Sequence, residues 1–172
     1  MKKTTLFIAL FLIALTAANL IVKYFGAQGL WISSFLLIPF DFICRCIFHE
    51  TWKGKKLIIY LSLLTLAASF LTTAINSSAI NIAAGSVFGF MAAQIGAGIF
   101  YQYQLKRNQS WFMKINISDL IAICCDSLVF QFVAFKQFDY AITLGQIAIK
   151  FAGGLMWYFI LFKVINIQKD LK

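Results

Sequence analysis

A polytopic all-α membrane protein is the fold class this sequence predicts, on three observations. Hydrophobic residues make up 62% of the 172 and charged residues only 12%, with a mean hydropathy of +0.85. No water-soluble core hides so large an apolar share. The apolar residues gather into runs close to the roughly 20 that a helix needs to cross the hydrocarbon core. The basic residues fall between those runs, alternately dense and sparse along the chain, as they do when they set orientation in a bilayer. The net charge of +9 therefore does not read as a nucleic-acid surface, which needs its basic residues on one soluble face. The lipid bilayer is the expected partner, and nucleic acid is not.

Hydropathy divides the chain into six spans, 5–22, 30–48, 57–75, 79–100, 117–135 and 141–164, which form one transmembrane domain over residues 1–172. The connecting loops are too short for a soluble domain, and no phosphate-binding GxxxxGK[ST] loop is present. With the N-terminus cytoplasmic, the inner segments carry Lys2, Lys3, Lys53, Lys55, Lys56, Lys106, Arg107, Lys114, Lys163, Lys169 and Lys172. The outer loops carry only Lys23 and Lys136, so both termini are expected inside. A cleavable signal peptide is the competing reading of the first span. It fits less well, because the apolar run continues past the small residues after Leu15 to Val22.

Within the second span the only proline, Pro39, is expected to kink the helix and free a carbonyl one turn earlier. Asp41 and Arg45 follow, four residues apart and so on one face. They read equally as a structural ion pair and as part of a pathway lining. In the fourth span Gly85, Gly89, Ala93 and Ala97 form a row of small residues that lets a neighbouring helix come close. Gln94 stands beside this row, suited to an interhelical contact or a ligand contact.

The fifth span holds the residue that most requires a reason. Asp126 lies at its midpoint, where a carboxylate costs a few kcal/mol on insertion scales (about 2.5–3.5) unless it meets a partner, cavity or substrate. Asp119, seven residues earlier, shares its face nearer the cytoplasm. In the sixth span Lys150 lies at similar depth, followed by Gly153 and Gly154. Mutual pairing of Asp126 and Lys150 in the empty protein is the economical expectation. Cys44, Cys46, Cys124 and Cys125 lie in two close pairs whose members point in different directions, so they read as small buried residues rather than metal ligands. His49, the only histidine, reads as a solvated interfacial residue. No catalytic or metal site is expected, and no cofactor.

Four segments in order, AANLIVKYFG, PFDFICRCIF, CDSLVFQFVAF and IAIKFAGGL, resemble the queuosine precursor transporter family, also called the vitamin uptake transporter family. The residues that carry the resemblance are Asn19 and Lys23, Asp41, Asp126 with Phe130 and the Ala134–Phe135 pair, and Lys150. The sequence departs from that pattern at Cys125, where a serine is expected, at Arg45, where the residue is often acidic, and in having no proline after Lys150. The resemblance implies a bacterial inner-membrane importer of the 7-cyano and 7-aminomethyl 7-deazaguanine precursors of the tRNA base queuosine. A guanine-like ring presents adjacent N–H and NH2 donors that one carboxylate accepts together, which makes Asp126 the expected contact. Gln94 and Lys150 are candidates for the ring carbonyl, and Phe130 or Phe35 for stacking on the ring. Asn19, Asp41 and Arg45 complete the candidate substrate-binding set.

Energy is expected from a gradient, from metabolic trapping or from a partner. Small six-helix proteins of this size also resemble the substrate-binding components of energy-coupling-factor transporters, whose first helix meets a shared membrane subunit through small residues. Ala14 and Ala18 have the matching spacing. A third reading is a structural membrane protein in which the buried charges only fix helix packing.

Overall fold

The computed structural model describes residues 2–52, 55–105 and 111–160. Among them the elements run α1 (Lys2–Ile32), a π-helical segment (Ser33–Leu37), α2 (Ile38–Thr51), α3 (Lys55–Ile75), a 3-10 turn (Ser77–Ala79), α4 (Ile80–Leu105), α5 (Trp111–Phe135) and α6 (Tyr140–Tyr158). No strand occurs among the described residues. Residues 161–164 of the expected sixth span, with Lys53, Lys106, Arg107, Lys163, Lys169 and Lys172, lie outside the described residues, as does the His49 side chain.

Among the described residues, four stretches are long and apolar enough to cross a membrane: Thr4–Arg45, Lys56–Ile75, Ser77–Ala97 and Ile117–Phe135. The first has 42 residues and would reach about 63 Å as one straight helix, twice the hydrocarbon thickness. It does not run straight. The Phe11 and Phe48 rings meet at 6.0 Å, so the chain doubles back between them, and the corner is Gly26, with φ 56° and ψ −129°. Only glycine enters that region without strain. A side chain at Gly29 would strike the Ile21 carbonyl, so the corner also needs a bare residue where its two arms touch.

This corrects one expectation. Residues 23–29, expected as a short loop between the first two spans, are helical on both sides of Gly26. The irregularity expected from Pro39 is present as the π-helical turn just before it, where Ile38 N–H donates to the Ser33 carbonyl.

The distribution of polarity is that of a protein dissolved in lipid. Ile13, Phe70, Ile99, Phe132 and Leu144 are each more than 60% exposed, whereas Asn19, Asp41, Thr65, Thr72 and Gln146 are among the most completely buried side chains. Without water at the outer surface, apolar side chains face outward and polar groups find partners inside. Thr16 Oγ1 donates to the Ala68 carbonyl at 3.3 Å and Ser69 Oγ to the Ala83 carbonyl at 3.3 Å, tying α1 to α3 and α3 to α4. These contacts and the apolar exterior make this a membrane protein.

The small-residue row packs as expected. A Cβ at Gly85 would lie 2.7 Å from Ala134 Cβ, and one at Gly89 2.6 Å from an Asp126 oxygen, so α4 and α5 touch nearly backbone to backbone. Ala93 is fully buried in the same row. Below it, Phe11, Phe42, Phe48 and Phe90 form an aromatic core with ring separations of 5.8–6.4 Å. Phe11→Ala should leave a large cavity there and cost about 3–5 kcal/mol. Its thermal unfolding in detergent, compared with the intact protein, reads that loss.

Candidate functional site

The site lies where α5 and α6 meet the two arms of the Gly26 hairpin. α5 enters tightly because Gly89 offers no side chain, which puts Asp126 directly against the α4 backbone. α6 is set by Asp139, whose Oδ1 accepts from the Ala141 and Ile142 N–H groups at 2.8 and 3.1 Å and caps the helix. From that cap the buried face of α6 presents Thr143, Gln146, Lys150 and Gly153 in succession, the spacing of one helical stripe.

Lys150 Nζ donates to Asp126 Oδ2 at 2.7 Å and to Ser127 Oγ at 3.0 Å. Asp126 is 3% exposed and Lys150 2%, so this is a buried ion pair with an added hydroxyl. The two residues that the sequence singled out at equal depth are therefore in direct contact. Outward along the same helices, Thr143 and Gln131 join side chain to side chain and Thr143 also donates to the Asp139 carbonyl.

A cavity lies beside the pair. Its polar lining is Asn19, Ser33, Ser34, Ser86, Gln146 and the pair itself, and its apolar lining includes Phe90 and Phe130. The space in which a water centre can move is about 20 Å³, enough for a single water and too small for a fused-ring base. A ligand of that size needs the pair to part and the helices to shift. The opposite wall is held by a relay in which Ser86 Oγ donates to Asn19 Oδ1 at 2.5 Å and Asn19 Nδ2 donates to Thr72 Oγ1 at 3.3 Å.

Four of the eight candidate substrate residues therefore converge on the cavity: Asn19, Asp126, Phe130 and Lys150. The other four do not line it. Phe35 belongs to the π-helical segment and is 38% exposed, because the π turn rotates it outward while Ser33 and Ser34 face in. Gln94 is half-buried one turn below Phe90, and its buried Nε2 has no hydrogen-bond partner among the described residues. Asp41 is fully buried within electrostatic reach of Arg45 and Asp126. The spacing of Asp41 and Arg45 does not produce a hydrogen-bonded pair: neither Asp41 oxygen has a hydrogen-bond partner among the described residues. The Arg45 guanidinium lies 4.0 Å from the centre of the Phe90 ring, a cation–π contact, and Phe90 itself lines the cavity.

Sequence reasoning missed Gln146, Ser33, Ser34 and Ser86. Gln146 had a usable signal, since it precedes Lys150 by one turn on the same face. Ser33 and Ser34 had none, because their direction depends on the π turn. Ala14 and Ala18, whose spacing matches that of a partner-contacting first helix, are 6% and 2% exposed and are packed inside the protein. Cys44, Cys124 and Cys125 are free thiols. The chain matches no family model, no curated protein and no solved structure.

Proposed function

We propose that this protein is a bacterial inner-membrane importer of 7-deazaguanine precursors of queuosine, with six membrane spans and both termini in the cytoplasm. The observation that carries the reading is the buried Asp126–Lys150 pair on the wall of a polar, partly aromatic cavity within an apolar bundle. Intramembrane charges facing a cavity are the usual mark of a substrate or ion pathway. The substrate class comes from the sequence resemblance, and the chemistry of the cavity fits it.

In this mechanism the pair is the resting contact. A guanine-like ring offers its N1–H and exocyclic NH2 to the Asp126 carboxylate, a two-point contact that replaces the single hydrogen bond from Lys150. Lys150, still within reach of Ser127, turns to the ring carbonyl, and Phe130 covers a ring face. Occupancy is thereby linked to the separation of α5 and α6, because one carboxylate cannot hold the ligand and the ammonium with the same geometry. The apparent affinity is lowered by whatever the pair is worth. α6 is the sixth span in this reading; Gln146, Lys150 and its glycines reduce its hydropathy because one face lines the pathway.

The test is uptake of labelled 7-cyano-7-deazaguanine and its 7-aminomethyl analogue by bacteria that neither make nor otherwise import them. Cells expressing the protein should accumulate queuosine in tRNA, and cells with an empty vector should not. Background uptake with the protein correctly inserted would overturn the proposal.

A further inference from the structure

The polar groups around the cavity are not equally provided for. Asn19, Ser33, Ser86, Asp126 and Lys150 all have hydrogen-bond partners, whereas the buried Ser34 hydroxyl has none among the described residues. Gln146 is 0% exposed and lines the cavity, yet neither its Nε2 nor its Oε1 has a partner among the described residues. The contrast with Gln131 is informative: that buried amide, also between α5 and α6, is engaged by Thr143. Leaving a buried donor or acceptor unpaired forfeits the hydrogen bonds it makes to water in the unfolded chain, and a methionine of nearly the same shape would avoid that loss. Packing therefore does not account for an amide at this position, whereas a ligand with one donor beside one acceptor does.

We propose that Gln146 reads the N3/N9–H edge of the deazaguanine ring and thereby selects the free base over its nucleoside. This rests on the import reading above. In a free base N9 carries a proton and N3 beside it carries a lone pair. Gln146 Oε1 accepts from N9–H while Nε2 donates to N3, the two-point pairing that planar amides make with base edges. In a nucleoside N9 carries the sugar, so the donor is lost and the sugar occupies the place of the amide. Gln146 lies one turn from Lys150, about 6 Å along α6, and the N3/N9 edge adjoins the edge assigned to Asp126. One ring plane can therefore meet both helices once the cavity has widened.

The experiment measures binding of 7-cyano-7-deazaguanine, its N9-methyl derivative and the corresponding nucleoside to the purified full chain in lipid nanodiscs. The intact protein should bind the base and discriminate against the N9-methyl derivative by about 10- to 100-fold. Gln146→Met should lose about 10- to 100-fold for the base and almost nothing for the N9-methyl derivative, so that the discrimination vanishes. Base affinity unchanged in Gln146→Met, or equal binding of base and N9-methyl derivative by the intact protein, would overturn the assignment while leaving the import reading standing. Failure of the intact protein to bind any of the three would remove the import reading and this inference together. Should Gln146→Met not fold, the ligand series on the intact protein decides by itself.

Discussion

Asp126→Ala should reduce uptake to background and lower stability by about 3–5 kcal/mol, because it leaves the Lys150 ammonium buried without its counter-charge. Lys150→Met should do the same from the other side. The informative protein is the double variant Asp126→Asn with Lys150→Met. Exchanging a whole buried pair for neutral groups of similar size is often nearly neutral in stability, so its unfolding in detergent should return close to that of the intact protein. Its uptake should not return, since an asparagine presents one acceptor where the ring needs two. Recovery of both properties would reduce the pair to a helix fastener and support the structural reading of the charges. Asp126→Glu offers no easy escape: Gly89 allows the carboxylate 2.6 Å from where a Cβ would stand, and an added methylene has to be forced into that contact, at about 1–3 kcal/mol. Uptake by Asp126→Glu should therefore fall well below the intact level even though the charge is kept.

What the sequence made legible follows from which physical quantities are local. Apolar span length and the small-residue row on α4 depend on composition and helical period, and the structure contains both. The Asp126–Lys150 contact was also readable, because two costly charges at one depth have few alternatives to each other. Asp41 and Arg45 show where that reasoning ends. Four-residue spacing puts them on one face, but Arg45 also has Phe90 on α4 at 4.0 Å, a partner whose position depends on how α2 and α4 pack. Phe35 and the two serines before it fail for a related reason. A π turn changes the angular position of every residue from Ser33 to Leu37, and a period of 3.6 assigned through it gives the wrong face.

That same π turn sets the second large prediction, a contrast between two adjacent glycines. Pro39 has no N–H, so the Phe35 carbonyl cannot receive the ordinary helical hydrogen bond from it. α6 comes directly onto this oxygen: a Cβ at Gly153 would collide with the Phe35 carbonyl and stand 2.8 Å from Pro39 Cγ. One turn further on, Trp157 Nε1 donates to the neighbouring Leu36 carbonyl at 2.7 Å. The irregular turn and α6 thus fit each other, and Lys150 and Gln146 ride on that fit. Gly153→Ala should cost about 1–3 kcal/mol in overpacking against backbone that cannot yield, and it should lower uptake at least tenfold by moving the buried face of α6 away from Asp126. Gly154→Ala, one residue on, meets nothing within 4 Å. It should be neutral or stabilise by about 0.5–1 kcal/mol through reduced backbone entropy, with uptake unchanged. Equal behaviour of the two variants would mean that α6 is not held against the π turn, and the position of Lys150 would then need another support.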